Sequence, residues 1–184
     1  MVTVGLYNIQ LIPATTWGKS LAKLARQKGS GFRSIWDKIR ERELNRAGQK
    51  CEICRAAASG LICHEKWMFD DAQHVQRLAG YEVTCRECSN ILHLGRAFED
   101  RELRERAKVH FARVTGLGDN VLDDVHDQAM KEWTQRSMHN WSIDISYEPL
   151  ALAFEEKLNK LQPDSGQVRK WQGIGQSAPQ IFAL

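Results

Sequence analysis

Apolar residues recur at helical spacing in three stretches of this chain. The first covers residues 34–48, with Ser34 as a candidate N-cap and Gly48 in a position suited to end the helix. The other two cover residues 103–114 and 122–133. We expect the first helix to lead into the middle of the chain and the other two to pack as an antiparallel pair that buttresses it.

Shorter apolar runs predict strands between these helices. Residues 61–68 and 80–84 contain β-favouring side chains and can pair as an antiparallel ribbon. Residues 70–78, between them, indicate a loop followed by a short helix, and residues 86–95 can form another helix. Alternation of apolar and polar positions over 141–147 predicts a further short strand. The fold class expected is therefore α+β and α-rich, centred on a ββα unit.

Three regions follow from this pattern. Residues 1–32 predict a basic, irregular N-terminal arm with one short helix near residues 19–27. Residues 33–161 form the main domain and close with a helix over 149–161 that has proline near its start. Residues 162–184 are weakly specified, and their apolar side chains leave docking on this domain or on a partner open.

Length and cysteine content narrow the class of protein. The chain has 184 residues, enough to bury one principal core, and its five cysteines are too few for a disulfide-dense secreted scaffold. Its amino terminus has no basic-then-apolar signal segment, and no apolar run approaches the about 20 residues that a membrane span needs. We expect a cytoplasmic protein without a membrane partner.

The positive charge is concentrated at one end of the chain. Residues 1–50 carry ten Lys or Arg against three acidic residues, a net +7, whereas the whole chain carries +3 and the remainder therefore −4. This asymmetry suits a bound polyanion, although an ordinary solvated surface explains it too. The residues expected to bind nucleic acid are Lys38, Arg42, Arg46 and Lys50.

Two Cys-x-x-Cys pairs carry the strongest chemical signal. They are Cys51 with Cys54 and Cys85 with Cys88. A two-residue gap lets both thiolates of a pair converge on one ion, and four thiolates saturate a tetrahedral Zn²⁺. Such a closed shell leaves no position for a substrate, so we expect structural zinc that contributes to folding.

A second group of residues can support chemistry. Cys63 and His64 are neighbours on a predicted strand, so their side chains should point to opposite faces. His93 lies one helical turn after Ser89. A strand histidine opposed by a helix histidine can hold one divalent ion and one activated water; alternatively, His64 orders the ribbon and His93 packs or caps the helix.

Residues 35–95 resemble the zinc-stabilised HNH endonucleases, whose fold is also called ββα-metal. The resemblance is closest to a bacterial branch of the family. It is carried by the two Cys-x-x-Cys pairs, by Cys63-His64-Glu65-Lys66-Trp67-Met68-Phe69-Asp70-Asp71, by His74-Val75-Gln76-Arg77-Leu78-Ala79-Gly80, and by the stretch from Cys88 to His93-Leu94-Gly95. A looser similarity extends to residues 133–136 and 141–147.

The resemblance implies hydrolysis of phosphodiester bonds in nucleic acid, with double-stranded DNA expected. His64 would be the general base, and His93 would hold a divalent ion, Mg²⁺, Mn²⁺ or Zn²⁺, against the phosphate. His74 is a further catalytic candidate. Cys63 stands where many members place the first metal ligand, and a thiolate there favours Zn²⁺ over Mg²⁺.

Two departures from the family pattern bear on this activity. Ser89 follows the second Cys-x-x-Cys directly, where members commonly have a metal-binding histidine, and the asparagine of the motif is missing. Asp70 and Asp71 can supply oxygen ligands, or can cap the short helix expected near His74. The alternative function is a degenerate module that keeps the zinc scaffold and serves as a nucleic-acid-binding or protein-docking subunit of a larger assembly.

Overall fold

The computed structural model of the protein describes residues 2–4, 7–9 and 11–162, and about half of these residues are helical. The strands are β1 Val2–Val4, β2 Tyr7–Ile9, β3 Ile62–Asp70, β4 Val75–Thr84 and β5 Ser142–Asp144. The helices are α1 Leu21–Arg26, α2 Arg33–Arg46, α3 Arg86–Leu92, α4 Leu94–Phe98, α5 Arg101–Thr115, α6 Val121–Ser137 and α7 Glu155–Asn159, with 3₁₀ helices at Ala14–Thr16 and Pro149–Phe154. The α+β class is confirmed.

A three-stranded sheet of order β3-β4-β5 forms the middle of the fold. The expected antiparallel ribbon is β3 with β4, in a register that pairs His64 with Glu82 and shifts between Lys66 and Trp67. Gly80 lies at this irregularity with φ of 142°, a conformation that side chains with a Cβ rarely adopt. The predicted short strand is β5, which runs parallel to β4.

The short helix expected after Asp70 is absent, and this prediction was wrong. β4 already begins at Val75, and a tight turn joins it to β3. Asp70 Oδ1 accepts a hydrogen bond from the backbone N–H of Gln73 at 3.0 Å, and His74 has φ of 52°. The aspartate therefore closes a hairpin turn instead of capping a helix.

The first predicted helix is confirmed as α2, with Gly48 in the left-handed region at φ of 61° just beyond its end. Its start differs from the prediction, because Phe32 is the N-cap residue and Ser34 lies inside the first turn. The helix expected from residue 86 is divided at His93, where α3 ends and α4 begins.

Helices α5 and α6 correspond to the two predicted amphipathic stretches, and Gly116 ends α5 with φ of 72°. Helix α5 packs on α3 and α4, and α6 packs on α4 and β1. Asp123 in α6 accepts hydrogen bonds from Lys108 Nζ at 2.7 Å and from Arg104, both in α5. The helix expected over 149–161 consists of a 3₁₀ helix followed by the short α7.

The amino-terminal segment differs from the irregular arm that the sequence predicts. Strands β1 and β2 pair as an antiparallel hairpin, and Tyr7 and Ile9 are fully buried. These two side chains join an apolar cluster built with the cysteine pairs, α3, α5 and α6. A second cluster contains Leu21 and Leu24 of α1 together with residues of α2 and the ribbon. The expected short helix in this region is α1.

No helix within the described ranges is long and apolar enough to cross a membrane. The prediction for the tail at residues 162–184 lies, apart from its first residue, outside the described residues.

Candidate metal centre and histidine cavity

The four cysteines of the two pairs meet in space. One ligand atom from each of Cys51, Cys54, Cys85 and Cys88 lies within 4.8 Å of every other, and Cys54 Sγ is 3.7 Å from Cys85 Sγ. In a tetrahedral site with metal–sulfur bonds of about 2.3 Å, the sulfur atoms are about 3.8 Å apart. The donor set and its spacing therefore fit a metal ion such as zinc.

The metal centre is formed by the segments that precede and follow the ribbon in the sequence. Cys51 and Cys54 follow α2, and the backbone N–H of Glu52 donates to Val83 O at 2.8 Å at the end of β4. Cys85 is the N-cap residue of α3, and its Sγ accepts from the backbone N–H of Cys88 at 3.5 Å. A bound ion would therefore join the end of the ribbon to the first turn of the helix.

Cys88 has two further polar contacts that the sequence did not indicate. Tyr7 Oη lies 3.3 Å from Cys88 Sγ, and His110 Nε2 lies 3.2 Å from the same sulfur. Arg113 Nη2 is 2.8 Å from His110 Nδ1. Because a guanidinium can only donate, Nδ1 must accept and the proton must be on Nε2, which then donates to the sulfur.

The thiols share their protons unequally. The hydrogen bond with Cys88 lowers the pKa of Cys51, and the same hydrogen bond together with burial raises the pKa of Cys88. Burial followed by the Arg113 charge lowers the pKa of His110, so this imidazole stays neutral and retains the donor described above.

His64 and His93 face one another beside the metal centre. Their ring centroids are 4.9 Å apart, and His64 Nε2 lies 3.0 Å from Ser89 Oγ. A metal–nitrogen bond to histidine is about 2.1 Å, so rings at this separation can reach one ion. Among the residues that the structure describes, only the four cysteines form a cluster of three or more His, Cys, Asp or Glu ligands. The histidine pair therefore has no third ligand of these types there.

Both histidines line a cavity of about 440 Å³. Its other lining residues are Ile62, Arg86, Ser89, Asn90, Arg96, Leu103 and Arg106. Burial, and secondarily a positive charge on His93, lower the pKa of His64 to about 3. Burial against its neighbours and the Arg96 guanidinium also lower the pKa of His93, although the residue is exposed to solvent at the cavity. Both rings are therefore neutral near pH 7 and offer a nitrogen lone pair to a metal ion or a proton.

The structure places Cys63 apart from this cavity. As expected from strand geometry, its side chain points to the opposite face from His64, and it is buried with Trp36 and Ile39 of α2. Burial raises the pKa of the Cys63 thiol to about 12. The structure therefore does not bring Cys63 together with His93, its expected partner at the second metal.

His74 lies at the other end of the ribbon. It stacks on His139 with ring centroids 4.1 Å apart, and both line a different cavity. Six residues of strand separate His64 from Asp70 at the turn, which is about 20 Å at about 3.3 Å per residue. Asp71, near His74, is paired with Arg136 Nε at 2.8 Å. These turn residues are thus remote from His64 and His93.

The basic residues of α2 differ in their availability. Arg42 contacts Glu148 at 2.6 Å and Glu43 at 2.8 Å, and Arg46 contacts Glu43 at 2.6 Å and Glu52 at 2.7 Å. These carboxylates offset the charge of both guanidinium groups. Lys38 and Lys50, in contrast, are exposed and have no side-chain partner within the described part of the chain.

Sequence reasoning missed several residues of this region. Tyr7 and His110 contact Cys88 from distant parts of the chain, and no local sequence pattern predicts these two contacts. Arg86, Arg96 and Arg106 surround the histidine cavity. The position of Arg86 inside the second Cys-x-x-Cys pair and that of Arg96 just after His93 were the available signals.

Comparisons with protein-family models, curated proteins and solved structures gave no match for this chain.

Proposed function

We propose that this protein is an HNH-like endonuclease that hydrolyses phosphodiester bonds of nucleic acid, with double-stranded DNA as the expected substrate. The proposal depends on the positions of two histidines. His64 lies on β3, the first strand of the ribbon, and His93 lies at the end of α3, the helix that begins at the cysteine centre; their ring centroids are 4.9 Å apart. The family resemblance assigns the base and the metal-binding histidine to these two positions.

Zn²⁺ at the four cysteines would have a purely structural role, because four thiolates leave no open position. It would fix the ribbon end against α3 and thereby set the separation of the two histidines. The cytoplasmic, reducing compartment expected from the sequence would keep these thiols available to the ion.

The chain's own residues would perform defined tasks at the reaction site. His93 would bind a divalent ion, Mg²⁺, Mn²⁺ or Zn²⁺, which when present polarises the phosphate and stabilises the leaving oxyanion. His64 would accept the proton of the attacking water, and Ser89 holds its ring through the 3.0 Å contact. An anionic phosphate beside His64 would raise its pKa from the value near 3 and make it a stronger base.

A specific observation favours a second candidate. The described residues provide no third Asp, Glu, His or Cys ligand beside the histidine pair, and Ser89 occupies the position of the family's second helix histidine. Loss of a ligand weakens metal binding, and a chain with this site would retain the cysteine centre and the ribbon but would not hydrolyse phosphodiester bonds. It would then serve as a nucleic-acid-binding module or as a docking subunit of a larger assembly.

Nicking of supercoiled plasmid by the purified, zinc-loaded protein separates the two candidates. If the protein is an endonuclease, nicking should depend on added Mg²⁺ or Mn²⁺ and should be lost in His64→Ala and in His93→Ala. His139→Ala is the matched control, because it removes an exposed imidazole from the other cavity. Plasmid binding without nicking in any of these metals would reject the endonuclease and leave the binding module.

A substitution that restores a family residue sharpens the distinction. Ser89→His would place a third imidazole beside His64 and His93. If the site is weakly active, we expect this variant to nick plasmid at a lower concentration of added metal. If it binds metal more tightly and still does not nick, the site lacks more than a ligand.

A further inference from the structure

We infer that Arg86, Arg96 and Arg106 hold the phosphate backbone of the nucleic acid at the histidine cavity, and that Arg42 and Arg46 of α2 do not. The three arginines come from α3, α4 and α5 and line the same cavity as His64 and His93. This inference rests on the proposed function, because it takes nucleic acid to be the ligand of the cavity.

The charge balance of the cavity favours an anion. Among the described residues, its lining contains three guanidinium groups and no carboxylate. Arg86 is exposed and makes no side-chain hydrogen bond or ion pair to the described residues. Within the part of the chain that the structure describes, Arg96 donates only a long hydrogen bond, 3.4 Å, to Asn90 Oδ1. Arg106 is paired with a single carboxylate, Glu87, at 2.7 Å.

The ion pair of Arg106 can be exchanged for a phosphate at little cost. Arg106 and Glu87 are 53% and 33% exposed, and solvent screening makes an exposed pair of this kind contribute little to stability. Water can solvate Glu87 when Arg106 leaves it. The arginine is therefore available to a ligand even though it is paired in the free protein.

The arginines of α2 are in the opposite situation. Glu148 and Glu43, their acceptors, are only 1% and 8% exposed. Moving Arg42 to a phosphate would leave the buried Glu148 carboxylate without its arginine, and moving Arg46 would remove one of the two arginines that pair with the buried Glu43; both changes are unfavourable. Of the basic residues predicted to bind nucleic acid, these two are therefore committed to the fold.

The position of the arginines also suits the chemistry. Guanidinium groups bind phosphate oxygens in a bidentate manner and need no particular base sequence. Arginines from three helices around one cavity would hold a phosphodiester next to the two imidazoles. The nucleic acid would then cross the face formed by α3, α4 and α5, on the side of the ribbon opposite to α2.

Binding measurements without added divalent ions test this inference independently of hydrolysis. The probe is a short fluorescein-labelled DNA duplex, and its dissociation constant is measured by anisotropy over a series of salt concentrations. Each of Arg86→Ala, Arg96→Ala and Arg106→Ala should weaken binding and reduce the magnitude of the slope of log affinity against log salt by about 1. Lys38→Ala and Lys50→Ala test the two exposed lysines that the sequence predicts to bind nucleic acid, and binding at the histidine cavity predicts that they leave the slope unchanged.

Glu87→Gln provides a test in the opposite direction. It releases Arg106 from its ion pair, so the duplex should bind more tightly than to the wild-type protein. Thermal unfolding of every variant identifies any that has lost the fold. If the lysine variants reduce the slope while the arginine variants and Glu87→Gln behave as wild type, the inference is overturned.

The binding measurements and the nicking assay can be interpreted separately, because the first tests the arginine site and the second tests hydrolysis. Weak binding by the arginine variants together with no nicking by the wild-type protein supports the phosphate site and rejects the endonuclease. Nicking by the wild-type protein with unchanged binding and nicking in all three arginine variants supports the endonuclease and rejects the phosphate site.

Discussion

Substitution Tyr7→Phe removes one hydroxyl from the metal centre and leaves the aromatic ring in place. Tyr7 Oη is 3.3 Å from Cys88 Sγ, and its ring centroid lies 5.7 Å from that of Phe111. Burial raises the pKa of Tyr7, so the hydroxyl stays protonated and would donate to the Cys88 thiolate once a metal ion is bound. Phenylalanine retains the ring contact and loses only the donor.

The expected change in Zn²⁺ affinity depends on the negative charge of the sulfur atom that accepts the hydrogen bond. A hydrogen bond to a charged group contributes about 1.5 to 3 kcal/mol, and loss of a residue that hydrogen-bonds a metal ligand typically costs about 10- to 100-fold in metal affinity. The contact is fully buried, so no water can replace the lost donor. We therefore expect the dissociation constant for Zn²⁺ to rise about 10- to 100-fold.

Competition with a chromophoric chelator measures this change directly. A Co²⁺-substituted sample gives a second readout, because loss of the hydrogen bond should shift the thiolate-to-metal charge-transfer band. Tyr147→Phe is the matched control, since this tyrosine is 55% exposed and lies outside the metal centre. Equal Zn²⁺ affinity and an identical Co²⁺ spectrum in Tyr7→Phe and wild type would refute a role for the hydroxyl.

The remaining predictions concern the free energy of unfolding. Burial raises the pKa of Glu65 from 4.5 to about 7, so the folded state binds the proton more tightly and stability falls as the pH rises from about 4.5 through about 7. The change in the free energy of unfolding caused by Glu65→Gln should therefore be about 2 to 3 kcal/mol more favourable at pH 8 than at pH 4. Urea unfolding that gives the same change in this free energy at both pH values would contradict this. Arg42→Ala leaves the buried Glu148 unpaired and should cost about 2 kcal/mol, whereas the exposed Lys38→Ala should cost under about 0.5 kcal/mol. Equal unfolding midpoints for these two variants would argue against the buried ion pair.

The ribbon and the metal centre could be predicted from the sequence because their signals are local. Two-residue gaps bring each cysteine pair together regardless of the rest of the fold, and alternation along a strand separates Cys63 from His64. The helix α2 was equally readable, since its apolar spacing and Gly48 agree. The approach of His64 to His93 was also expected from their positions on a strand and a helix, and the family resemblance added only the roles of the two residues.

Other features depend on contacts between distant parts of the chain. Tyr7 is 81 residues from Cys88, and Arg42 is 106 residues from Glu148. No periodicity or composition links such positions, so the buried hairpin and the neutralised charge of α2 could not be anticipated. The turn after Asp70 was misjudged for a different reason, because aspartate both caps helices and closes turns.

We expect one metal ion, held by the four cysteines, to fix the ribbon against α3 and thereby to position the histidine cavity. X-ray absorption spectroscopy of the purified, reduced protein tests it most directly. We predict one zinc per chain with four sulfur ligands at about 2.3 Å, and loss of this shell in Cys85→Ser. A protein without bound metal, or a zinc shell that includes nitrogen or oxygen and survives Cys85→Ser, would contradict it.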